Sequence, residues 1–312
     1  MHTSLVAPGV RTQPLQTRWR CSAARRVRCA ASTQQGQAVA TRRVQYTALE
    51  GNTFKLCFPS TRTTVLADPW LVGPLTFGPP ALAALYSGVK PAGDLGTGQA
   101  SDASVLLLSQ GLDDHAHRPT LEKLDKRLPV VASPSAAAVA TALGFTAVTS
   151  VPHGQSVVIA GLRFTATAGA LVGPPWSTRE NGFFISEEGG DGLVVYYEPH
   201  LDYERDSVAR ALQAVGGRCD LAVVPTTAVS LAGFPLVMGS PEAVMDLIRL
   251  LQPAVLVPLR NDQIKEEGAI APFVQFSEPA IAAVRAQLAG SPVPRTRLIE
   301  PAATGTPMML DV

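Results

Sequence analysis

The sequence predicts an α/β protein built as an αβ/βα four-layer sandwich, with two sheets face to face and helices outside. Three observations predict it. Apolar strand-like runs near the start form hairpins and then pass into strand–helix units, and the same succession recurs in the second half. Loops rich in Gly and Pro, at 73–102 and 169–175, separate the units. With 312 residues and 46% hydrophobic content, the chain can bury a core of that size.

The elements follow in order. Residues 44–49 and 53–58 read as a hairpin across Glu50-Gly51-Asn52, and 63–67 as a third strand running into Asp68-Pro69-Trp70. A short helix is expected at 81–86 within the first Gly/Pro-rich loop. Strand 103–108 ends in an acid- and histidine-rich turn, and Pro119 opens a helix at 119–128. Strand 130–132, helix 135–143 and strand 146–151 complete the first half. Strands at 155–159, 162–168, 181–187 and 192–197 open the second. Helix 203–216, strand 219–224, helix 241–251, strand 254–258, helix 278–289 and strand 296–299 close it.

Charge is unevenly placed. Residues 1–43 carry eight arginines and no acid, whereas the remainder has 18 Lys plus Arg against 25 Asp plus Glu. A basic, acid-free leader holding Ser, Thr and Ala reads as a transit peptide, with a processing site near Val27-Arg28-Cys29-Ala30 and a folded domain over 44–312. Its mixture of small and hydroxylated residues favours a chloroplast stromal destination over a mitochondrial one. The alternative is a basic tail that binds nucleic acid, although the acidic body argues against nucleic acid as the main partner. The uncharged stretch 221–241 is long enough to cross a bilayer. Pro225, Pro235 and its glycines favour a buried strand followed by a loop, so no transmembrane helix is expected. Of the four cysteines, Cys57 and Cys219 lie beyond the leader, lack metal-finger spacing and read as buried free thiols.

The most informative stretch is 105–121. An apolar run, Val105 to Leu108, meets a turn holding Asp113, Asp114, His115 and His117. The layout resembles the metal loop of the metallo-β-lactamase fold, His-x-His-x-Asp-His, with the final Asp-His on Asp114 and His115 and the two earlier histidines replaced by Gln110 and Leu112. The resemblance covers about 44–300. Leu66 to Trp70 looks like the Asp-Pro-Trp turn of the branch with ascorbate-lactonase-like and phospholipase-D-like members, in which the Asp orders the metal loop. Ala168-Gly169-Ala170 stands where a further His is usual. Pro199-His200 stands where Gly-Asp is usual, and Arg260 near the place of the last His.

The resemblance implies that a first metal site is lost, since Leu112 and Ala170 have no donor atom. It implies one residual site of Asp114, His115 and His200, holding one divalent ion: zinc foremost, with iron and manganese open. Asp114, Glu198 and Arg260 are the candidate catalytic residues. Glu198, Asp113 or Asp262 would serve as general base or fourth ligand. Arg260 cannot ligate a metal and would repel a dication. The function implied is hydrolysis of a small ester, lactone or phosphoester, with a small molecule as partner and neither nucleic acid nor membrane. The rival is a non-catalytic scaffold that binds a small anionic ligand or a protein partner. In it Asp114 caps a helix or holds the loop, the histidines are interior, and Arg260 pairs with Asp114 or Glu198 or binds a small anion. His117 is expected to be solvated and His153 to sit in a turn. Trp70 and Trp176 are expected to pack, and only one of Tyr196 and Tyr197 can face the site. No phosphate-binding Gly motif and no G-x-S-x-G is present.

Overall fold

The computed structural model describes residues 42–77, 85–172, 176–189, 191–261, 264–290 and 296–312. The leader up to residue 41, most of the helix expected at 81–86, and Asp262 lie outside the described residues.

Two seven-stranded sheets carry the fold. Edge to edge, the first runs Met308–Asp311, Arg43–Ala48, Phe54–Phe58, Thr63–Ala67, Val105–Leu108, Val130–Ala132 and Val148–Ser150. The second runs Arg297–Leu298, Val255–Pro258, Leu221–Val224, Val194–Tyr197, Asn181–Glu187, Leu162–Ala168 and Ser156–Ile159. Each sheet is antiparallel where its half of the chain begins and parallel where strand–helix units follow.

Side-chain alternation sorts the core into three layers. Val105 and Leu107 face the second sheet and join Phe54, Phe164, Phe183 and Tyr197 between the sheets. Leu106 and Leu108 point the other way, under helices Arg118–Lys123 and Pro134–Ala142. Phe184 and Tyr196 lie under helices Arg205–Ala214, Pro241–Leu251 and Ile281–Ala289. Three apolar layers between four structural ones make the expected αβ/βα sandwich.

Local chemistry sets the helix ends. Ser133 and Ser240 accept from the N–H groups of Ala136 and Ala243, each followed by Pro at the first helical position. Gln252 turns left-handed and stops the second of these helices. The helix expected at 119–128 ends at Lys123, because Leu124 is extended.

Three pieces differ from expectation. Met308–Asp311 pairs antiparallel with the first strand. Ser87–Val89 pairs with Lys265–Glu267. The stretch read as a loop after Leu221–Val224 is a hairpin, Ala228–Leu231 with Phe234–Met238, widened by Val274–Phe276 into a three-stranded sheet. Its apolar residues are not buried: Phe234 is 76% exposed. Among the described residues no helix is long and apolar enough to cross a membrane.

A candidate metal centre where the two sheets meet

The site is assembled from loops that leave the C-terminal ends of parallel strands. Strand Thr63–Ala67 delivers Asp68, whose φ of 40° lies in the left-handed region that Asp tolerates better than most residues. The Asp68 N–H donates to Leu107 O at 2.9 Å, and its carbonyl accepts from Thr53 Oγ1 at 2.7 Å. Thus fixed, the buried carboxylate accepts from Ser109 N (2.7 Å), Ser109 Oγ (2.5 Å), Tyr197 OH (2.6 Å) and His115 Nδ1 (2.7 Å). The loop after Val105–Leu108 is closed by His115 N and Ala116 N, both donating to Leu112 O.

His200 comes from the second sheet. Its Nδ1–H donates to Leu236 O at 2.7 Å, its backbone N–H to Glu198 Oε2 at 3.2 Å, and its carbonyl accepts from Met238 N at 2.7 Å. Both imidazoles are therefore held by Nδ1 and turn Nε2 toward one another, 3.0 Å apart. Asp114 Oδ2 stands 3.1 Å from His115 Nε2, and one donor atom from each of Asp114, His115 and His200 lies within 4.8 Å of the others.

The partners fix the protons. A carbonyl only accepts, so His200 carries its proton on Nδ1 and offers a lone pair at Nε2. His115 faces a carboxylate at Nδ1 and that lone pair at Nε2, so it carries both protons and is an imidazolium. Its pKa agrees: burial works to lower it, but the charges and hydrogen bonds of Asp114 and Asp68 raise it to about 10. Burial and the His115 charge push His200 down to about 4. Burial works to raise Asp114, but the two imidazoles prevail and its pKa is lowered.

The donor set fits a metal ion. Two nitrogens bound tetrahedrally to one zinc stand about 3.3 Å apart, close to the 3.0 Å observed. An ion bound here would take the place of the proton that the hydrogen bond between the rings requires. Asp114 Oδ1 is buried without a hydrogen-bond partner, as are both amide atoms of Gln110 in the same loop.

Glu198 is not brought into this group. Tyr197 turns to Asp68, so its neighbours Tyr196 and Glu198 face the helical layer. There burial raises the Glu198 carboxyl to about 8 against the lowering effect of the His200 N–H, and Oε1 has no partner. Arg260 is half-buried, its Nη2 donating to Pro301 O at 2.9 Å and its charge felt by the Tyr46 hydroxyl. Among the described residues no ion pair joins it to Asp114 or Glu198. Asp113 faces Arg118 Nε at 3.4 Å.

His117, expected in solvent, is buried. Thr120 Oγ1 accepts from both Leu71 N and Val72 N and so donates to His117 Nδ1 at 2.9 Å, while Nε2 donates to Pro74 O. His153 sits in a turn and donates to Glu180 O. Trp70 packs inside with its Nε1–H on Gly73 O, whereas Trp176 is 86% exposed. Cys219 is buried and Cys57 half-buried, both as free thiols. The sequence marks the Asp-Pro-Trp turn. Nothing local marks the Tyr197 hydroxyl or the Leu236 carbonyl, whose roles exist only across the fold.

A model of the beta-lactamase superfamily domain matches residues 45–260. No curated protein sequence matches the chain. The crystal structure of isothiocyanate hydrolase from Delia radicum gut bacteria is similar, with a TM-score of 0.61 and 15% identity over 86% of this chain and 99% of that one. A possible metal-dependent hydrolase from Veillonella parvula DSM 2008 gives 0.60 and 19%, over 87% and 100%. CmlA, a diiron β-hydroxylase from Streptomyces venezuelae, gives 0.57 and 12%, over 87% of this chain and 54% of that one.

Proposed function

This chain belongs to the beta-lactamase superfamily, and from that premise we propose that it is a hydrolase with a single residual metal site at Asp114, His115 and His200. Its substrate is a small ester, lactone or phosphoester. The observation that carries the reading is the orientation of the two imidazoles. Each has Nδ1 committed to a fixed acceptor, and the Nε2 atoms meet beside an Asp114 carboxylate that keeps one oxygen free. Interior histidines with purely structural roles have no need to face one another in this way.

A divalent ion there would supply Lewis acidity toward a carbonyl or phosphoryl oxygen and would acidify water to near neutral pH. The residues do the rest. Asp68 holds His115 in register, and Leu236 O holds His200. Asp114 Oδ1 is placed to take a proton at the cluster. Glu198 acts through His200, fixing its backbone N–H. The basic leader supports a plastid stromal location.

The test is the metal content of the full chain, purified without chelator or affinity metal. About one ion per chain, lost in both Asp114→Ala and His200→Ala, is the expected result. A folded protein with no metal after dialysis against micromolar zinc would overturn the reading.

A further inference from the structure

On the helical face of the second sheet, three buried oxygens have no hydrogen-bond partner among the described residues: Thr167 Oγ1, Tyr196 OH and Glu198 Oε1. They come from the two strands that flank Asn181–Glu187. Thr167 stands opposite Gly182 on one side, and on the other Val194–Tyr197 carries Tyr196 and runs into Glu198. All three side chains converge on Gly182. A Cβ built there would lie 2.7 Å from Thr167 Oγ1, 3.1 Å from Tyr196 OH and 3.0 Å from Glu198 Cγ. Gly182 is part of a strand and has no left-handed φ. It is the space above it, and not its backbone, that calls for glycine.

Glu198 sets the electrostatic demand of this place. It is fully buried, and its Oε2 accepts the His200 N–H at 3.2 Å. Among the described residues no Lys, Arg or His forms an ion pair with it. The side-chain charge that bears on it is the like charge of Asp202, itself held by Arg179 at 3.1 Å. Buried charges are paired or coordinate metals. The donor set is oxygen alone, which suits hard cations. A single carboxylate balances one positive charge, and a dication would leave a net charge buried.

We propose that Thr167, Tyr196 and Glu198 bind one alkali cation, sodium or potassium, above Gly182, and that through Glu198 this ion positions His200. One carboxylate serves both ends: Oε1 binds the ion and Oε2 holds the His200 N–H. The site lies on the face of the sheet turned away from the candidate metal centre and does not depend on the hydrolase reading.

The test is the Tm of the full chain at pH 8.5, where the Glu198 proton, held up to about pH 8, no longer competes. A chelator removes divalent ions. Lithium, sodium, potassium or caesium chloride replaces tetramethylammonium chloride at constant ionic strength. A saturable, size-selective rise is expected, about 3–6 °C at tenfold excess of the preferred ion over its Kd. Glu198→Gln keeps the shape and removes the charge, and Tyr196→Phe keeps the ring and removes the hydroxyl; both should lose most of the rise. In the wild type, the imidazole proton resonances that disappear in His200→Ala should shift along the same titration. The same Tm in all five chlorides, or a rise undiminished in both variants, would overturn the ion site. A rise in Tm with the His200 resonances unmoved would overturn the link to His200.

Discussion

Asp68→Asn changes one oxygen to an amide nitrogen at the most heavily used carboxylate in the described structure. Four donors converge on Asp68: the Ser109 N–H, the Ser109 hydroxyl, the Tyr197 hydroxyl and the His115 Nδ1–H. The amide keeps one acceptor and turns two protons toward groups that also donate. Leaving buried donors unmatched costs about 1–3 kcal/mol each. The charge matters separately. The rise of His115 from 6.5 to about 10 corresponds to about 5 kcal/mol favouring the imidazolium, shared between Asp114, the larger contributor, and Asp68. Together these give a loss of about 5 kcal/mol, a fall of about 10–20 °C in Tm for a domain of this size. A pKa raised on folding stabilises the folded state fully below 6.5, and that stabilisation is lost as pH climbs through about 10. Urea unfolding of the metal-free protein from pH 6 to 10 should therefore show stability falling in the wild type, and falling less in Asp68→Asn. A cost below about 1 kcal/mol, or parallel pH profiles, would refute the proton assignment built on this carboxylate.

Other perturbations follow from the same geometry. Glu198→Gln should flatten the decline in stability between pH 4.5 and about 8, because in that window the carboxyl keeps its proton in the fold and gives it up on unfolding; urea midpoints at pH 5, 7 and 9 measure it, and an unchanged slope would contradict the burial argument. Gln110→Leu removes two unpartnered buried amide atoms and should raise the stability of the metal-free protein by about 1–3 kcal/mol. A lower Tm in that variant would mean that the amide is bonded within the fold. Zinc at a hundredfold excess over its Kd should stabilise the wild type by about 2.7 kcal/mol, read as a rise in Tm, with no rise in Asp114→Ala.

The sequence exposes what is decided locally. The hairpin at its start is fixed by apolar alternation across Glu50-Gly51-Asn52, and helix Pro241–Leu251 by a Ser cap, a Pro and a closing Gln. Asp114 and His115 are recognisable because they sit together in one turn. What the sequence hides depends on distant partners. Met308–Asp311 is a strand only because the first strand offers it an edge. Phe234–Met238 lacks alternation and contains Pro, so it reads as a loop until Ala228–Leu231 pairs with it. Glu198 is the instructive case. The rule that lets only one of Tyr196 and Tyr197 face the site also sends Glu198 away from it whenever Tyr197 faces in, and which tyrosine faces in is set by Asp68 on the other sheet. Arg260 has a carbonyl partner, Pro301 O, that only the return of the chain supplies.

Asp68, Asp114 and His115 ride on the first sheet and His200 on the second, so the 3.0 Å between the two imidazoles is a gauge set across the gap between layers. The aromatic packing of Phe54, Phe164 and Phe183 sets the width of that gap. A close-packed interior transmits changes of volume instead of absorbing them. Trimming or enlarging those side chains therefore changes the spacing of the two imidazoles from within, leaving every side chain of the cluster in place. For the divalent ion proposed above, the thickness of that oily layer would act as a dial on metal preference, available to selection without touching Asp114, His115 or His200.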